Sequence, residues 1–364
     1  MKKKIMFIIP SLEGGGAEKV LIEIIGHLDA EKYAISLVLF EKKGVHLLAI
    51  PDYVEIYALK KKNRYSFFKI ILLLASLFRE IEPDTTLSFM SYTNIIAILS
   101  KLLSGRKFKL VISIHINLAL HLLYARSRKI KEFFYRRLFN YANFIIVPSA
   151  GIKSHLVKAF NLKQERIKVI YNPIDLFKID KLEKESLDND ALGKYILAVG
   201  RLIKQKGYPY LLRAYSLIYK GIKEKLVILG KGEDEKKLRQ LAKDLGIQER
   251  VLFLGFKNNP YKFMNNASLF VLSSLWEAFA IVIIEAMVCG VPVISTDCPY
   301  GPSEIIINGK NGILVPPADE KAVAEAMLNL LKNKNLRKQL SEEGRKRAKD
   351  FRIEKILRKY EELF

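Results

Sequence analysis

The sequence has little cysteine. Its 364 residues include only two, Cys289 and Cys298. They provide no second pair for a disulfide framework, and no histidine accompanies them at the spacing of a zinc site. We therefore expect two buried or incidental thiols, as suits a reducing cytosol.

Long hydrophobic runs are also lacking. The longest apolar stretches, within 67–78 and 95–103, fall short of the roughly 20 residues that a membrane-spanning helix needs. The apolar residues that follow the N-terminal lysines end at Pro10, so they predict a first strand rather than a signal peptide. These features predict a cytoplasmic protein.

Negative charge is scarce relative to positive charge. The 61 Lys and Arg residues outnumber 38 Asp and Glu, which leaves a formal charge of +23. Such an excess attracts nucleic acid, anionic membranes or phosphorylated small molecules. The sequence carries no RNP aromatic signature, zinc module or basic-region heptad, so we predict no nucleic-acid partner. A basic nucleic-acid-binding protein is kept as the alternative from a different class.

Apolar runs of strand length alternate with helical patterns along nearly the whole chain. Near-continuous Ile, Val and Leu is typical of parallel strands covered on both faces. The alternation predicts an α/β fold with two doubly wound parallel-sheet (Rossmann-like) domains. The predicted strands are residues 5–9, 34–40, 54–57, 86–89, 110–114 and 144–147, then 195–199, 225–229, 251–253, 269–272, 293–295 and 312–315.

The predicted joint between the domains begins at Asn172. Turn chemistry at 171–175 is followed by a charged, polar stretch at 181–190, and the strands restart at Tyr195. We therefore predict a first domain at 1–172, a second at 173–345, and a C-terminal helical segment at 346–364 that packs back across the joint.

Three consecutive glycines, Gly14, Gly15 and Gly16, lie between the first strand and a helix. Glycines at this point let the backbone approach a ligand and leave helix N-terminal amides available to an anion. The dinucleotide fingerprint G-x-G-x-x-G is absent. A flexible turn is the alternative explanation.

A second glycine-bounded segment follows the strand at 195–199. It contains Arg201 and Lys206 and ends at Gly207, directly before a helix. Two cations at the carboxyl end of a parallel strand suit a diphosphate clamp, although a solvated loop would have the same composition. The next strand ends in Gly230-Lys-Gly-Glu233, which either approaches the ligand or forms a tight turn.

Two acidic residues, Glu277 and Glu285, stand eight positions apart among apolar residues. Buried carboxylates are costly, so each should have a partner. At about 1.5 Å per helical residue they would lie roughly 10 Å apart and contact opposite ends of one ligand. The alternative is that both are ordinary helix-start acids favoured by the dipole.

These motifs together resemble the retaining GT-B glycosyltransferases of family 4. The resemblance rests on G-R-L-x-x-x-K-G at 200–207, the E-x7-E pair and the A-M-x-C-G-x-P-V-I-S-T tail at 286–296. The segments at 14–18 and 172–175 also match, so the similarity covers nearly the whole chain. It implies two domains facing each other across a cleft, and transfer from a nucleotide diphosphate sugar, most simply a UDP-sugar, with retention of anomeric configuration.

The resemblance assigns the donor to the second domain. Glu285 would accept hydrogen bonds from the ribose hydroxyls, and Arg201 and Lys206 would neutralise the diphosphate. Glu277 would hold a sugar hydroxyl. The first domain would contribute Gly15 and Gly16 at its helix N-terminus.

The resemblance also implies that His115 lies near the reacting sugar. Taken alone, His115 would be read as a structural histidine.

Backbone amides near Phe279 and Ala280 would assist Glu277. Here the sequence departs from the family, which usually has Gly at the position of Ala278 and very often Gly or Pro at that of Ala280. The departure bears on which sugar is bound. The resemblance further implies a reaction with no cofactor and no bound metal.

Basic and aromatic residues are concentrated in the first half. Between Lys101 and Arg137 there are ten Lys or Arg and one acid, and 60–64 adds another basic run before the apolar stretch 67–78. Aromatic residues are interleaved with the cations at 133–139. This composition favours an anionic membrane surface, with a solvated basic face as the alternative. It predicts a peripheral protein at the inner face of the cell membrane.

The tract 298–304 resembles relatives that extend oligosaccharides on polyprenyl diphosphate carriers, often from N-acetylhexosamine donors. We therefore predict a lipid-linked or oligosaccharide acceptor. Two alternatives are kept: a sugar-nucleotide epimerase of the same fold, and a degenerate transferase that acts as a scaffold.

Overall fold

The computed structural model describes residues 1–59, 66–116, 118, 128–187 and 192–364. The chain divides into two compact units. The first comprises Met1–Pro173 together with Ile353–Phe364, and the second comprises Ile174–Arg352. Each is built on one parallel sheet with helices, which confirms the predicted α/β fold class.

The sheet of the first unit has seven parallel strands in the order β3-β2-β1-β4-β5-β6-β7. The strands are β1 (Lys3–Ile9), β2 (Tyr33–Leu39), β3 (Glu55–Ala58), β4 (Thr85–Phe89), β5 (Lys109–Ser113), β6 (Phe144–Val147) and β7 (Ile167–Val169). The described helices between them are α1 (Gly16–His27), α2 (Phe67–Ile81), α3 (Ser91–Ser104), α4 (Arg128–Leu138) and α5 (Ala150–Phe160).

The sheet of the second unit has six parallel strands in the order β10-β9-β8-β11-β12-β13. The strands are β8 (Tyr195–Val199), β9 (Lys225–Leu229), β10 (Val251–Gly255), β11 (Leu269–Leu272), β12 (Val293–Thr296) and β13 (Ile313–Val315). Its helices are α6 (Leu176–Leu182), α7 (Tyr208–Ile218), α8 (Glu235–Asp244), α9 (Tyr261–Asn265), α10 (Ile281–Val288), α11 (Pro302–Ile305), α12 (Glu320–Lys332) and α13 (Lys334–Ala348).

All twelve predicted strands are present, with ends that differ by at most two residues. The structure adds β7, which the sequence analysis missed. This strand has only three residues and lies at the edge of its sheet, where Lys168 is exposed. Its sequence, Ile-Lys-Val, alternates apolar and charged residues, whereas the pattern used to predict strands was a continuously apolar run.

The C-terminal boundary differs from the prediction. A break after residue 345 would fall inside α13, which continues to Ala348. The last helix, α14 (Ile353–Glu361), belongs to the first unit. It is held there by a 3.2 Å hydrogen bond from Tyr33 Oη to Glu361, and Lys109 Nζ donates to the carbonyl of Phe364 at 2.8 Å.

Both sheets have a point where the strand order reverses. In the first unit β1 lies between β2 and β4, and in the second β8 lies between β9 and β11. Ligands of doubly wound folds bind beyond the carboxyl ends of the strands at such a point. The loops after β1, β8 and β11, which carry the sequence motifs, are therefore at the edges where binding is expected.

Candidate functional site

The loops at the carboxyl edge of the second sheet are packed tightly against each other. Gly207 has φ +62°, and a Cβ there would lie 2.0 Å from the carbonyl oxygen of Ser273. Ser273 Oγ in turn donates to the carbonyl of Lys206 at 2.9 Å. Only glycine allows this approach, so the glycine that follows Lys206 joins the loop after β8 to the loop after β11.

The contact between these two loops brings Lys206 and Glu277 together. Lys206 Nζ lies 2.5 Å from Glu277 Oε1, and the side chains are only 15% and 8% exposed. Ser274 Oγ donates to the same carboxylate oxygen at 2.6 Å, and Gln205 Nε2 lies 3.5 Å from the other. The expectation that a buried carboxylate here has a partner is confirmed for Glu277.

Glu285 is the fifth residue of α10 and is 6% exposed. Its Oε1 accepts a hydrogen bond from Tyr261 Oη at 3.2 Å. Glu277 lies in the loop four residues before the helix. Neither acid is therefore a residue of the first helical turn, which excludes the helix-start explanation. Tyr261 was not predicted, because nothing in a 24-residue separation marks the two side chains as neighbours.

Arg201 differs from Lys206 although it lies in the same loop. Its side chain is exposed, and within the described ranges no hydrogen-bond or ion-pair partner of its guanidinium is found. An exposed guanidinium at this edge is accessible to an anion. The diphosphate clamp stays a prediction: of its two cations, Lys206 is paired with Glu277 and Arg201 is exposed.

The glycine turn after β9 has a structural explanation. Gly230 has φ +143°, and a Cβ there would lie 1.9 Å from the carbonyl oxygen of Gly200. The backbone N–H of Leu202 also donates to the carbonyl of Lys231 at 3.0 Å. This turn therefore supports the loop that carries Arg201, which favours the tight-turn interpretation left open by the sequence.

The start of α10 has an unusual backbone at Ala280, which has φ +53° and ψ +57°. A left-handed conformation costs a residue with a Cβ about 1–2 kcal/mol, which explains why glycine suits this position. Phe279, the preceding residue, is 1% exposed and packs its ring 5.6 Å from that of Phe351. Its side chain thus belongs to the core of the unit.

We expect Ala280→Gly to change the free energy of unfolding by less than about 0.5 kcal/mol. Relief of the left-handed strain is offset by the lost methyl group, worth about 0.8 kcal/mol, and by greater freedom of the unfolded chain. Ala280→Val should instead lower it by about 1–3 kcal/mol. Urea denaturation measures both.

Ala278→Val is the matched control, because Ala278 has no positive φ. Ala278→Val should lower the free energy of unfolding clearly less than Ala280→Val does. Equal losses at the two positions would contradict the assignment of strain to Ala280.

In the first unit, the glycine loop precedes α1. Glu18 is 5% exposed, and its Oε2 accepts the backbone N–H of Gly14 at 2.5 Å and of Gly15 at 3.0 Å. The amide predicted to serve a ligand at Gly15 is therefore committed to Glu18. Gly16 is the first residue of α1, and a Cβ there would meet nothing within 4 Å. Of the two glycines, Gly16 has the more accessible backbone.

His115 follows β5 by two residues. Its Nε2 lies 2.8 Å from Ser113 Oγ, and its ring is stacked on Phe89 at 5.5 Å with 12° between the planes. Burial lowers the pKa of His115 to about 4, so the imidazole is neutral at physiological pH. His115 and the glycine loop lie at the same carboxyl edge of the sheet, since β1 and β5 are parallel and separated only by β4.

The two cysteines are buried, as expected, at 2% exposure each. Burial raises the pKa of Cys298 to about 12 and that of Cys289 further above its usual range. Neither thiol is therefore a reactive thiolate.

The basic and apolar surface of the first unit is only partly as predicted. Phe133 is 57% exposed beside the exposed Arg136 and Arg137, but Tyr135 and Phe139 are buried with their ring centroids 5.0 Å apart. Tyr135, in α4, and Phe139, in the 3-10 turn that follows it, therefore belong to the core. The basic run at 60–64 lies outside the described residues.

Helices α2 and α3 pack against each other and carry further exposed apolar side chains. We call these side chains the α2–α3 face. Its exposed side chains are Phe68 (76%), Leu72 (60%), Leu73 (36%), Leu102 (53%) and Leu103 (47%). Across the described ranges, every helix is too short or too polar to span a bilayer.

Comparisons with known proteins agree with this architecture. The family model described as Glycosyl transferases group 1 matches residues 180–347, and that described as Glycosyltransferase Family 4 matches residues 14–177. The Anabaena protein Alr3699/HepE, crystallised with UDP and glucose, superposes with a TM-score of 0.84 at 22% identity. That alignment covers 99% of this chain and 98% of the other.

Two relatives from Campylobacter jejuni are similar over almost their whole length. The N-acetylgalactosamine-N,N'-diacetylbacillosaminyl-diphospho-undecaprenol 4-alpha-N-acetylgalactosaminyltransferase is 31% identical, over 98% of each chain. The GalNAc-alpha-(1->4)-GalNAc-alpha-(1->3)-diNAcBac-PP-undecaprenol alpha-1,4-N-acetyl-D-galactosaminyltransferase is 30% identical, over 97% of this chain and 96% of the other.

Proposed function

Because the chain belongs to the group 1 glycosyltransferases, with the GT-B fold, we propose that it transfers an N-acetylhexosamine from a UDP-sugar to a polyprenyl-diphosphate-linked glycan. The observation that carries the proposal is the buried Lys206–Glu277 pair at the switch point of the second sheet. The names of the two Campylobacter relatives support the sugar and the acceptor. The UDP complex of a structural neighbour supports the nucleotide.

The residues around this pair suit cleavage of a sugar–diphosphate bond. Negative charge grows on the departing diphosphate, and the fixed cation of Lys206 with the accessible cation of Arg201 would stabilise it. Glu277, held by Lys206 and Ser274, would accept a hydrogen bond from a sugar hydroxyl. Glu285 would accept hydrogen bonds from the ribose. Retention of anomeric configuration is part of the proposal.

A donor panel and a transfer assay test this function. Thermal unfolding is followed with UDP-, GDP- and ADP-sugars, because a ligand at 100 times its Kd stabilises the native state by about 2.7 kcal/mol. We expect a UDP-N-acetylhexosamine to give the largest shift. Release of UDP should require a polyprenyl-diphosphate-linked glycan, and the new linkage should be α. Isomerisation of the nucleotide sugar with no acceptor present would instead indicate an epimerase.

We also propose that the reaction needs no metal ion or other cofactor. The sequence contains one Asp-x-Asp pair, Asp188 and Asp190, which lies outside the described residues. Turnover should therefore be unchanged by EDTA and by Asp188→Asn with Asp190→Asn. Loss of turnover in EDTA that magnesium restores would refute metal independence.

We further propose that the first unit binds an anionic membrane surface through the α2–α3 face and meets its lipid-linked acceptor there. Phe68 and Leu72, exposed on one side of α2, present apolar area to the acyl boundary. Lys69 is exposed next to Phe68. Arg79 lies in the last turn of α2 and donates to the carbonyl of Leu103 at 3.0 Å. Cations near the surface add about 1 kcal/mol each on anionic lipid.

The double variant Phe68→Ser with Leu72→Ser should bind vesicles of phosphatidylglycerol and phosphatidylcholine about 10- to 100-fold more weakly. Each inserted side chain is worth about 1.5–3 kcal/mol when fully buried, and interfacial burial is partial. Vesicle sedimentation at low salt measures the change.

Phe177→Ser is the matched control, because Phe177 is 81% exposed but lies on α6 of the second unit. It should bind vesicles like the unaltered protein. If the double variant binds vesicles as tightly as the unaltered protein, the proposed role of the α2–α3 face is wrong. Transfer to a soluble acceptor analogue should be unaffected in both variants.

A further inference from the structure

Among the described residues, only one of the two ring nitrogens of His115 has a hydrogen-bond partner. Nε2 is engaged by Ser113 Oγ at 2.8 Å. Nδ1 is enclosed by protein and, among the residues that the structure describes, has no hydrogen-bond partner. A buried polar atom without a partner is costly, and in a functional site it indicates a contact made with a ligand.

The state of Ser113 decides which nitrogen carries the proton. Ser113 is 0% exposed, and within the described part of the chain its hydroxyl has His115 Nε2 as its single hydrogen-bond partner. A hydroxyl offers one donor, and a buried donor that finds no other acceptor is satisfied only by donating to Nε2. Nε2 is then the acceptor, and the proton of the neutral ring lies on Nδ1.

The surrounding residues hold this arrangement in place. Asn94, fully buried in α3, donates through Nδ2 to the backbone carbonyl of Ser113 at 3.0 Å. Phe89, the last residue of β4, stacks on the imidazole and fixes its plane. The depressed pKa of His115, caused by burial, agrees with a ring that stays neutral above pH 5.

We propose that Ser113 is a positioning residue that holds His115 in its Nδ1-protonated form, so that Nδ1–H donates a hydrogen bond to an oxygen of the sugar substrate. The inference rests on the proposed function for the identity of that substrate. The tautomer itself is a property of the protein alone. Ser113 acts through His115 and does not itself contact the substrate.

The tautomer is tested without substrate by ¹⁵N NMR on protein labelled at its five histidines, with the signal of His115 assigned from His115→Gln. We expect a protonated, pyrrole-type Nδ1 and a pyridine-type Nε2. Ser113→Ala should shift the ring toward the Nε2-protonated form, and Ser113→Thr should restore the original pattern because threonine keeps the hydroxyl. A protonated Nε2 in the unaltered protein, or no change in Ser113→Ala, would overturn the proposal.

Kinetics supply the second measurement. Ser113→Ala should lower kcat about tenfold, the usual effect of losing one uncharged hydrogen bond in a transition state, with KM changed less than kcat. In the His115→Ala variant, Ser113→Ala should not lower kcat further, because Ser113 acts only on the imidazole that is already removed. A full additional loss in that background would overturn the proposal. The expected tautomer in a protein without transferase activity would instead refute the proposed function alone.

Discussion

Lys206→Ala is expected to lower the turnover number about 10²- to 10³-fold, the cost of removing one preorganised charge-stabilising group. The same change should lower the free energy of unfolding by about 3–5 kcal/mol. It leaves the carboxylate of Glu277, 8% exposed, without its cation. Transfer kinetics and urea denaturation measure the two effects separately.

Arg201→Ala separates catalysis from stability. The exposed guanidinium should matter to the diphosphate, so turnover falls about 10²-fold. Stability should change by no more than about 0.5 kcal/mol, because no described contact is lost. Lys204→Ala is the control cation, exposed in the same loop and outside the proposed clamp. If neither Lys206→Ala nor Arg201→Ala affects turnover, the diphosphate is not held here.

Glu285→Gln is expected to weaken UDP binding about 10- to 100-fold. Hydrogen bonds to a charged group contribute about 1.5–3 kcal/mol, and glutamine keeps the volume while removing the charge. Calorimetric titration with UDP measures the loss, with little change in kcat at saturating donor.

Tyr261→Phe is the matched control for this result. It removes the hydroxyl that donates to Glu285 at 3.2 Å and keeps the carboxylate. UDP affinity should stay within about threefold. Equal losses in the two variants would mean that the neighbourhood, rather than the carboxylate, determines binding, and full affinity in Glu285→Gln would remove Glu285 from the nucleotide site.

The sequence predicted the architecture because parallel strands buried on both faces leave an unmistakable run of Ile, Val and Leu. β8, β9 and β11 were predicted with their observed ends for that reason. β7 was missed because Lys168, exposed at the sheet edge, interrupts its apolar run. The predicted boundary at 345 falls inside α13, because that helix is charged and neither glycine nor proline follows its end at Ala348.

The site was less accessible to sequence reasoning than the fold. Patterns marked Lys206 and Glu277 separately, but nothing in a separation of 71 positions indicates that they pair. The left-handed backbone of Ala280 is equally invisible, because alanine rarely adopts it. The surface role predicted for Tyr135 was wrong because aromatic residues of an amphipathic helix more often lie on its buried face. Phe139, in the turn after that helix, is buried against Tyr135.

The backbone contacts of Gly207 and Gly230 limit how this enzyme can change its preference for a sugar. Two neighbouring loops touch main chain to main chain at these points, so no new side chain can be inserted there to redirect their course. Under the proposed function, we expect a change of substrate to arise from side chains that project from an unchanged backbone, such as the one at position 278. Engineering for a different donor should therefore begin with substitutions at position 278. Variants in which the loops at Gly207 or Gly230 are replaced by foreign loops should fail to fold.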